Sequence, residues 1–191
     1  MNITENFLNK EELSIINNEI LENNFPWYVE PNVIGSTGFP FLSHNLINRC
    51  DNGEEPIPNS DYYSFFKKII DRYCKTNNIK FKKLTRACLN LNFCNTKYDF
   101  ISPHVDHIFK HNVLMIYLKD SSGNTLIFDK KYKNGNTVID IDLPEIKKLE
   151  IAHKIKPEQG KTIMFDGSYF HTYEFCKHNE SRVVGVFTFI W

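Results

Sequence analysis

No apolar run in the sequence is long enough to cross a bilayer. The longest, Val183–Trp191, is interrupted by Thr188 and falls far short of the roughly 20 residues a spanning helix requires. Nor is there a surplus of either charge: Lys+Arg and Asp+Glu are both 23. A general nucleic-acid binder is expected to be basic, so nucleic acid is not favoured as a partner, although a local basic groove remains compatible with the balance. Cysteine is sparse and odd in number. The five residues Cys50, Cys74, Cys88, Cys94 and Cys176 contain no C-x-x-C pair, which argues against a disulfide framework or an all-cysteine zinc site and for buried thiols in a reducing compartment. The segment Met1–Lys10 is polar and has no apolar signal core. A cytoplasmic setting, without membrane partners, is the expectation. Internal repeats and low-complexity tracts are also missing.

Aromatic residues, by contrast, are plentiful. Sixteen Phe and nine Tyr predict a core built on large rings. At 191 residues, with 41% hydrophobic and 24% charged, the chain suits one folded domain, 1–191, and not a disordered tail. Its first part, 1–80, is expected to be helical and extended support. Leu13, Ile16 and Ile20 give a helical period over Lys10–Glu22, with Asn9 and Glu12 as a capping box. A second helix follows Ser60 as its cap, with Tyr62, Phe65, Phe66, Ile69, Ile70 and Tyr73 forming one apolar stripe. Short strands are expected at Trp27–Ile34 and Phe39–Leu46, and a loop at Asn48–Asn59. After Asn78 the period becomes two. Strands are predicted at Phe81–Cys94, His104–Asp106, Val113–Leu118, Thr125–Phe128, Ile151–Ile155, Thr162–Phe165, Tyr169–Phe175 and Arg182–Ile190. Helices followed by many short strands predict an α+β fold. The expected architecture is a double-stranded β-helix, a jelly-roll or cupin-like barrel, over 81–191, with the helices packed on one sheet. The stretch 129–158 reads as an insertion with a hairpin tip at Asn134-Gly135.

The chemistry concentrates in a few positions. His104 and Asp106, two apart on a strand, point to the same side. His171 lies downstream in an aromatic strand, and Arg182 opens a final strand with no further charge. Burying that arginine alone is costly, so it calls for an anion. Two histidines and one carboxylate form a facial triad that leaves three positions open on Fe(II). A planar guanidinium suits the distal carboxylate of a 2-oxo diacid. On β-period spacing, Leu84, Arg86, Cys88, Asn90 and Asn92 should face the barrel interior, and Thr85, Ala87, Leu89, Leu91 and Phe93 the helices.

From about Arg86 to Trp191 the chain resembles the Fe(II)/2-oxoglutarate-dependent dioxygenases of the prolyl-hydroxylase-like branch. The segments that carry the resemblance are Ser102-Pro103-His104-Val105-Asp106, Ile116-Tyr117-Leu118-Lys119-Asp120, Gly123-Asn124-Thr125-Leu126-Ile127-Phe128, Ile155–Gly167, His171 and Ser181-Arg182-Val183-Val184, in the family's order and spacing. The resemblance implies Fe(II) on His104, Asp106 and His171, and 2-oxoglutarate anchored by Arg182 and Tyr117, with Thr125 and either Asn90 or Asn92 as further contacts. It also implies O2 as oxidant, release of succinate and CO2, and hydroxylation of a substrate such as a prolyl or other protein side chain, a peptide or a small molecule. Phe25-Pro26-Trp27-Tyr28 and Phe41-Leu42-Ser43-His44 look similar to phage-type members, which implies a host cytoplasm. Collagen-type prolyl hydroxylases have Lys where this chain has Arg182. Nucleic-acid repair members carry a second Arg where it has Thr188, which weighs against base repair.

Blander readings stand beside these. Tyr117 also suits a core tyrosine with a satisfied hydroxyl, and His44 a structural histidine. His104, His107 and His111 would suit zinc if helical, but Pro103 and the following strand oppose a helix. A non-catalytic cupin-like or virion-associated barrel is the alternative to an enzyme; a decayed pocket of that kind is expected to lose a triad member.

Overall fold

The computed structural model describes residues 1–31, 40–50, 54–95 and 97–191. The chain runs β1 (Asn2–Thr4), α1 (Lys10–Ile15), β2 (Tyr28–Glu30), β3 (Phe41–Asn45), α2 (Tyr63–Thr76), β4 (Lys83–Phe93), β5 (Asn112–Tyr117), β6 (Thr125–Lys131), β7 (Ile151–Ile155), β8 (Thr162–Asp166), β9 (Tyr169–Tyr173) and β10 (Ser181–Ile190). The capping box forms: Asn9 Oδ1 accepts from the Glu12 N–H at 2.9 Å, and Glu12 Oε2 accepts from the Asn9 N–H at 2.8 Å. α1 is shorter than its period suggested and widens into a π-helical turn, Ile16–Ile20, that buries both isoleucines. Ser60 does not cap α2. The helix begins at Tyr63, and the Ser60 hydroxyl accepts from the Tyr62 N–H and pairs with His44 Nε2.

The strands make two antiparallel sheets. The larger has the order β1-β8-β5-β10-β4-β3-β2, and the smaller β7-β6-β9. β1 was not foreseen; it is a three-residue strand that pairs Asn2 with Met164 on β8. Period-two alternation decides what lies on each side of the large sheet. Leu114 and Ile116 of β5, with Val183, Phe187 and Phe189 of β10, meet Ile16, Ile20, Phe66, Ile69, Ile70 and Tyr73 of the helices. Val113, Met115, Tyr117, Val184 and Val186 point the other way, against Ile127 and Ile155 of the small sheet. Burying each large side chain of this kind contributes roughly 1.5–3 kcal/mol. The fold is therefore mostly β, two facing sheets in a jelly-roll arrangement with helices on one outer face.

One alternation fails. The pairing of β10 with β4 slips between Thr188↔Arg86 and Phe189↔Leu84, leaving Thr85 as the extra residue of a bulge. The bulge reverses the faces beyond it. Leu84 joins the helix-side core, and Thr85 turns inward to meet Thr188, hydroxyl to hydroxyl at 2.8 Å.

His104–Asp106 is not a strand: only His104 pairs, with Val138 on one side and His171 on the other. Asn134-Gly135 is a bend, with Gly135 at φ +88°, and not the tip of a regular hairpin. The chain beyond it returns alongside the His104 segment. The Val105 N–H donates to Thr137 O at 2.9 Å and the Ile139 N–H to Pro103 O at 2.8 Å. The insertion thus braces the motif. The expected strands at Trp27–Ile34 and Phe39–Leu46 appear in part as β2 and β3. Residues 32–39, and 51–53 of the loop that follows, lie outside the described residues. Among the described residues no helix is long and apolar enough to cross a membrane.

Candidate metal and co-substrate site

His104 and His171 exchange both backbone hydrogen bonds, each at 2.9 Å, which sets their rings side by side with centroids 4.8 Å apart. Asp106 completes the group. One donor atom from each of His104, Asp106 and His171 lies within 4.8 Å of the others. The histidine tautomers follow from their outer partners. His104 Nδ1 faces Ser102 O at 3.2 Å and His171 Nδ1 faces Tyr169 O at 3.1 Å. A carbonyl can only accept, so both Nδ1 atoms carry hydrogen and both Nε2 lone pairs are left for a metal. Burial, with the neighbouring His171, pushes His104 down to about 4, which keeps its ring neutral at physiological pH.

Asp106 is held from two sides. Its Oδ1 accepts from Arg86 NH1 at 2.6 Å, and its backbone carbonyl from Arg49 NH2 at 2.9 Å. Burial alone would raise the carboxyl. The Arg86 guanidinium and the neighbouring imidazoles outweigh it and hold Asp106 well below the usual carboxylate range. The other oxygen, Oδ2, is buried without a hydrogen-bond partner, 3.4 Å from His171 Nε2. Such an orphaned acceptor among imidazoles fits a divalent cation.

Arg182 lines the same pocket. It is 2% exposed, and no carboxylate pairs with it among the described residues. Its Nε donates to Gly123 O at 3.1 Å and its NH2 to Thr125 Oγ1 at 2.8 Å. The rings of Tyr173 and Tyr117 lie 5.0 and 5.8 Å from the guanidinium. Burial lowers its pKa. The anion that the sequence asked for is thus not supplied by a carboxylate among the described residues.

Counting protons around Arg182 identifies the remaining donors. Tyr117 OH donates to Thr125 Oγ1 at 2.7 Å. Thr125 therefore accepts twice, from Tyr117 and Arg182, and its own proton is free for a ligand. Tyr173 OH accepts from Asn92 Nδ2 at 2.9 Å, which leaves its proton to give as well. Asn90 and Asn92 both line the pocket, each with a buried Oδ1 that has no partner. The Asn92 amide nitrogen is committed to Tyr173.

The pocket thus brings together His104, Asp106, His171, Asn90, Asn92 and Arg182, with Thr125 and Tyr117 bonded behind. Three participants were not singled out for the roles they take. Tyr173 stands two residues after His171, and Arg86 was expected to face inward but not to hold Asp106. Nothing local to Arg49 places it beside Asp106, 57 residues on. His107 and His111 do not join the cluster. His107 Nε2 bonds Thr188 at 2.8 Å, and His111 Nδ1 meets Phe109 O at 2.8 Å, so the helical zinc reading fails. His44 sits apart, between Pro26 O and Ser60.

Two facing sheets thus carry a His-x-Asp, a distant His and a buried arginine around one pocket. Solved structures share this fold. The chain is similar to an oxidoreductase of the 2OG-Fe(II) oxygenase family from Burkholderia pseudomallei, with a TM-score of 0.66 over 96% of this chain and 81% of that one, at 14% identity. It is also similar to a prolyl hydroxylase from Trichoplax adhaerens, solved with a hypoxia inducible factor peptide, with a TM-score of 0.61 over 99% and 82% at 12% identity. A viral collagen prolyl hydroxylase from Paramecium Bursaria Chlorella virus-1, in a 2OG complex, matches over 100% of this chain and 95% of that one, with a TM-score of 0.54 and 14% identity. At these identities the likeness is one of fold. No family model matches the chain, and no curated protein matches it in sequence.

Proposed function

We propose that the protein is an Fe(II)- and 2-oxoglutarate-dependent oxygenase, with the whole chain forming one double-stranded β-helix domain and its supporting helices. The observation that carries this reading is a single pocket. It is lined both by three converging metal donors and by a buried cation, Arg182, that has no carboxylate partner among the described residues. His104 Nε2, Asp106 Oδ2 and His171 Nε2 would hold the metal. Arg182 would receive the distal carboxylate of 2-oxoglutarate, with the Thr125 hydroxyl beside it. Tyr117 acts through Thr125, Asn92 orients Tyr173, and Asn90 is the amide available to the co-substrate. When bound, the metal and co-substrate supply oxidative decarboxylation to succinate and CO2, coupled to hydroxylation of a substrate C–H. The chain's own groups bind, orient and exclude water.

The resemblance to prolyl hydroxylases favours a protein or peptide side chain, prolyl or other, as substrate, with a small molecule as the alternative; fold alone does not choose between them. Cytoplasm is the proposed setting, since the sequence expects reduced thiols. The test is succinate release from 2-oxoglutarate with Fe(II), beside Mn(II) titration of His104→Ala, Asp106→Ala and His171→Ala. Wild-type turnover, and loss of metal binding in each folded variant, is the expected result. Wild-type Mn(II) affinity in any of the three would remove that residue from the site, and absence of any metal binding by the wild type would overturn the proposal.

A further inference from the structure

We propose that Arg86 is a positioning residue that confines Asp106 to one-oxygen coordination and so keeps a third metal position open to non-protein ligands. This rests on the oxygenase reading above. A carboxylate can bind a metal through one oxygen or chelate through both. With two imidazoles, a chelating Asp106 would occupy four of six octahedral positions. A 2-oxo acid bound through two oxygens would fill the rest. Only a one-oxygen Asp106 leaves room for O2 as well.

The structure separates the two oxygens of Asp106. Oδ1 is engaged by Arg86 NH1 at 2.6 Å, a short charge-assisted bond in a nearly enclosed pair, with side-chain exposures of 16% for Arg86 and 1% for Asp106. Oδ2 is the oxygen without a hydrogen-bond partner, and it lies on the His171 side. Arg86 is itself fixed, since its Nε donates to Cys88 Sγ at 3.2 Å. Those two residues are i and i+2 on β4, on the side of the bulge where the strand still points them inward together. Arg49 holds the Asp106 carbonyl, so backbone and carboxylate are both restrained. For Oδ1 to ligate the metal as well, it would have to share or give up its bond to a buried guanidinium, which is unfavourable.

Mn(II) alone is the probe, with inner-sphere waters counted from the broadening of its electron spin resonance lines in oxygen-17 water. Three protein donors leave about three waters on the wild type. Arg86→Gln, which keeps an N–H for Oδ1 without the charge, should also show three. Arg86→Met, which offers no donor, should show two. In turnover Arg86→Met should lose more than about tenfold in kcat, with the KM for 2-oxoglutarate within about twofold, because Arg182 is untouched. Three waters and unimpaired kcat in Arg86→Met would make the arginine a structural ion pair only. Should that variant not fold, carbon-13 aspartate infrared difference spectra of the wild type decide. The gap between the two carboxylate stretches should widen on Mn(II) binding, as one-oxygen ligation requires, and narrowing would overturn the proposal. Failure of the wild type to bind Mn(II) would instead strike the oxygenase reading itself.

Discussion

Replacing Arg182 with methionine separates a binding role from a structural one. The guanidinium is buried, and it donates to neutral acceptors, Gly123 O at 3.1 Å and Thr125 Oγ1 at 2.8 Å. Hydrogen bonds to a charged group contribute about 1.5–3 kcal/mol each. Taking an ion out of water costs several kcal/mol even after relaxation. With no carboxylate partner among the described residues, these terms nearly offset. Arg182→Met fills similar volume without the charge, so it should change ligand-free stability by no more than about 2 kcal/mol in either direction. For a chain of this size that is roughly 4–8 °C in Tm. Binding behaves differently. Removing one partner of a desolvated, hydrogen-bonded charge pair costs about 2–5 kcal/mol, or roughly 30- to several-thousand-fold in 2-oxoglutarate affinity. At a hundred times its Kd the co-substrate should stabilise the wild type by about 2.7 kcal/mol, some 5–11 °C on the same scale. The variant should show almost none of that rise at the same concentration. Thermal melts with Mn(II), with and without 2-oxoglutarate, measure both quantities. If Arg182→Met lost more than about 4 kcal/mol without ligand, or kept the ligand-induced rise, the arginine would belong to the scaffold and the anion receptor would lie elsewhere.

Thr125→Val should raise the KM for 2-oxoglutarate more than Tyr117→Phe, because Thr125 holds the free proton and Tyr117 only feeds it; the latter should cost on the order of 1 kcal/mol, and equal or reversed effects would break the proton count. The metal-free protein should lose stability as pH falls from about 6.5 towards 4. His104 titrates at about 4 when folded, so the unfolded chain binds more protons in that window and stability rises with pH through it. Buried His111 is lowered in the same direction. Urea midpoints across that range, compared with His104→Asn, check this, and an unchanged slope in the variant would contradict it. All five cysteines are free thiols, so reductant should leave Tm within about 1 °C; a larger fall would mean that a disulfide forms.

Much of this protein was readable from local pattern. Period-two runs located β4, β5 and β10, the α2 stripe located the helical layer, and His104, Asp106, His171 and Arg182 stood out because each residue type has few other uses in such company. These signals are local: alternation assigns a face, and a charge on an apolar strand announces a need for a partner. What partners each charge finds was not local. The bulge at Thr85 turns Leu84 away from the interior, and period counting cannot see it because it depends on the register with β10. The Tyr117 hydroxyl donates to Thr125 on the facing sheet, a partner that sequence alone does not reveal. Arg86 and Arg49 converge on Asp106 from 20 and 57 residues away in sequence. The Thr137–Ile139 backbone of the insertion lies against Pro103 and Val105, a contact that no local pattern announces. Residue chemistry and spacing were enough to single out His104, Asp106 and His171, which the fold brings together. Which oxygen of Asp106 stays free, and which hydroxyl keeps a proton to give, was decided by tertiary structure, because hydrogen-bond partners are matched in space and each lone pair or proton can be used only once.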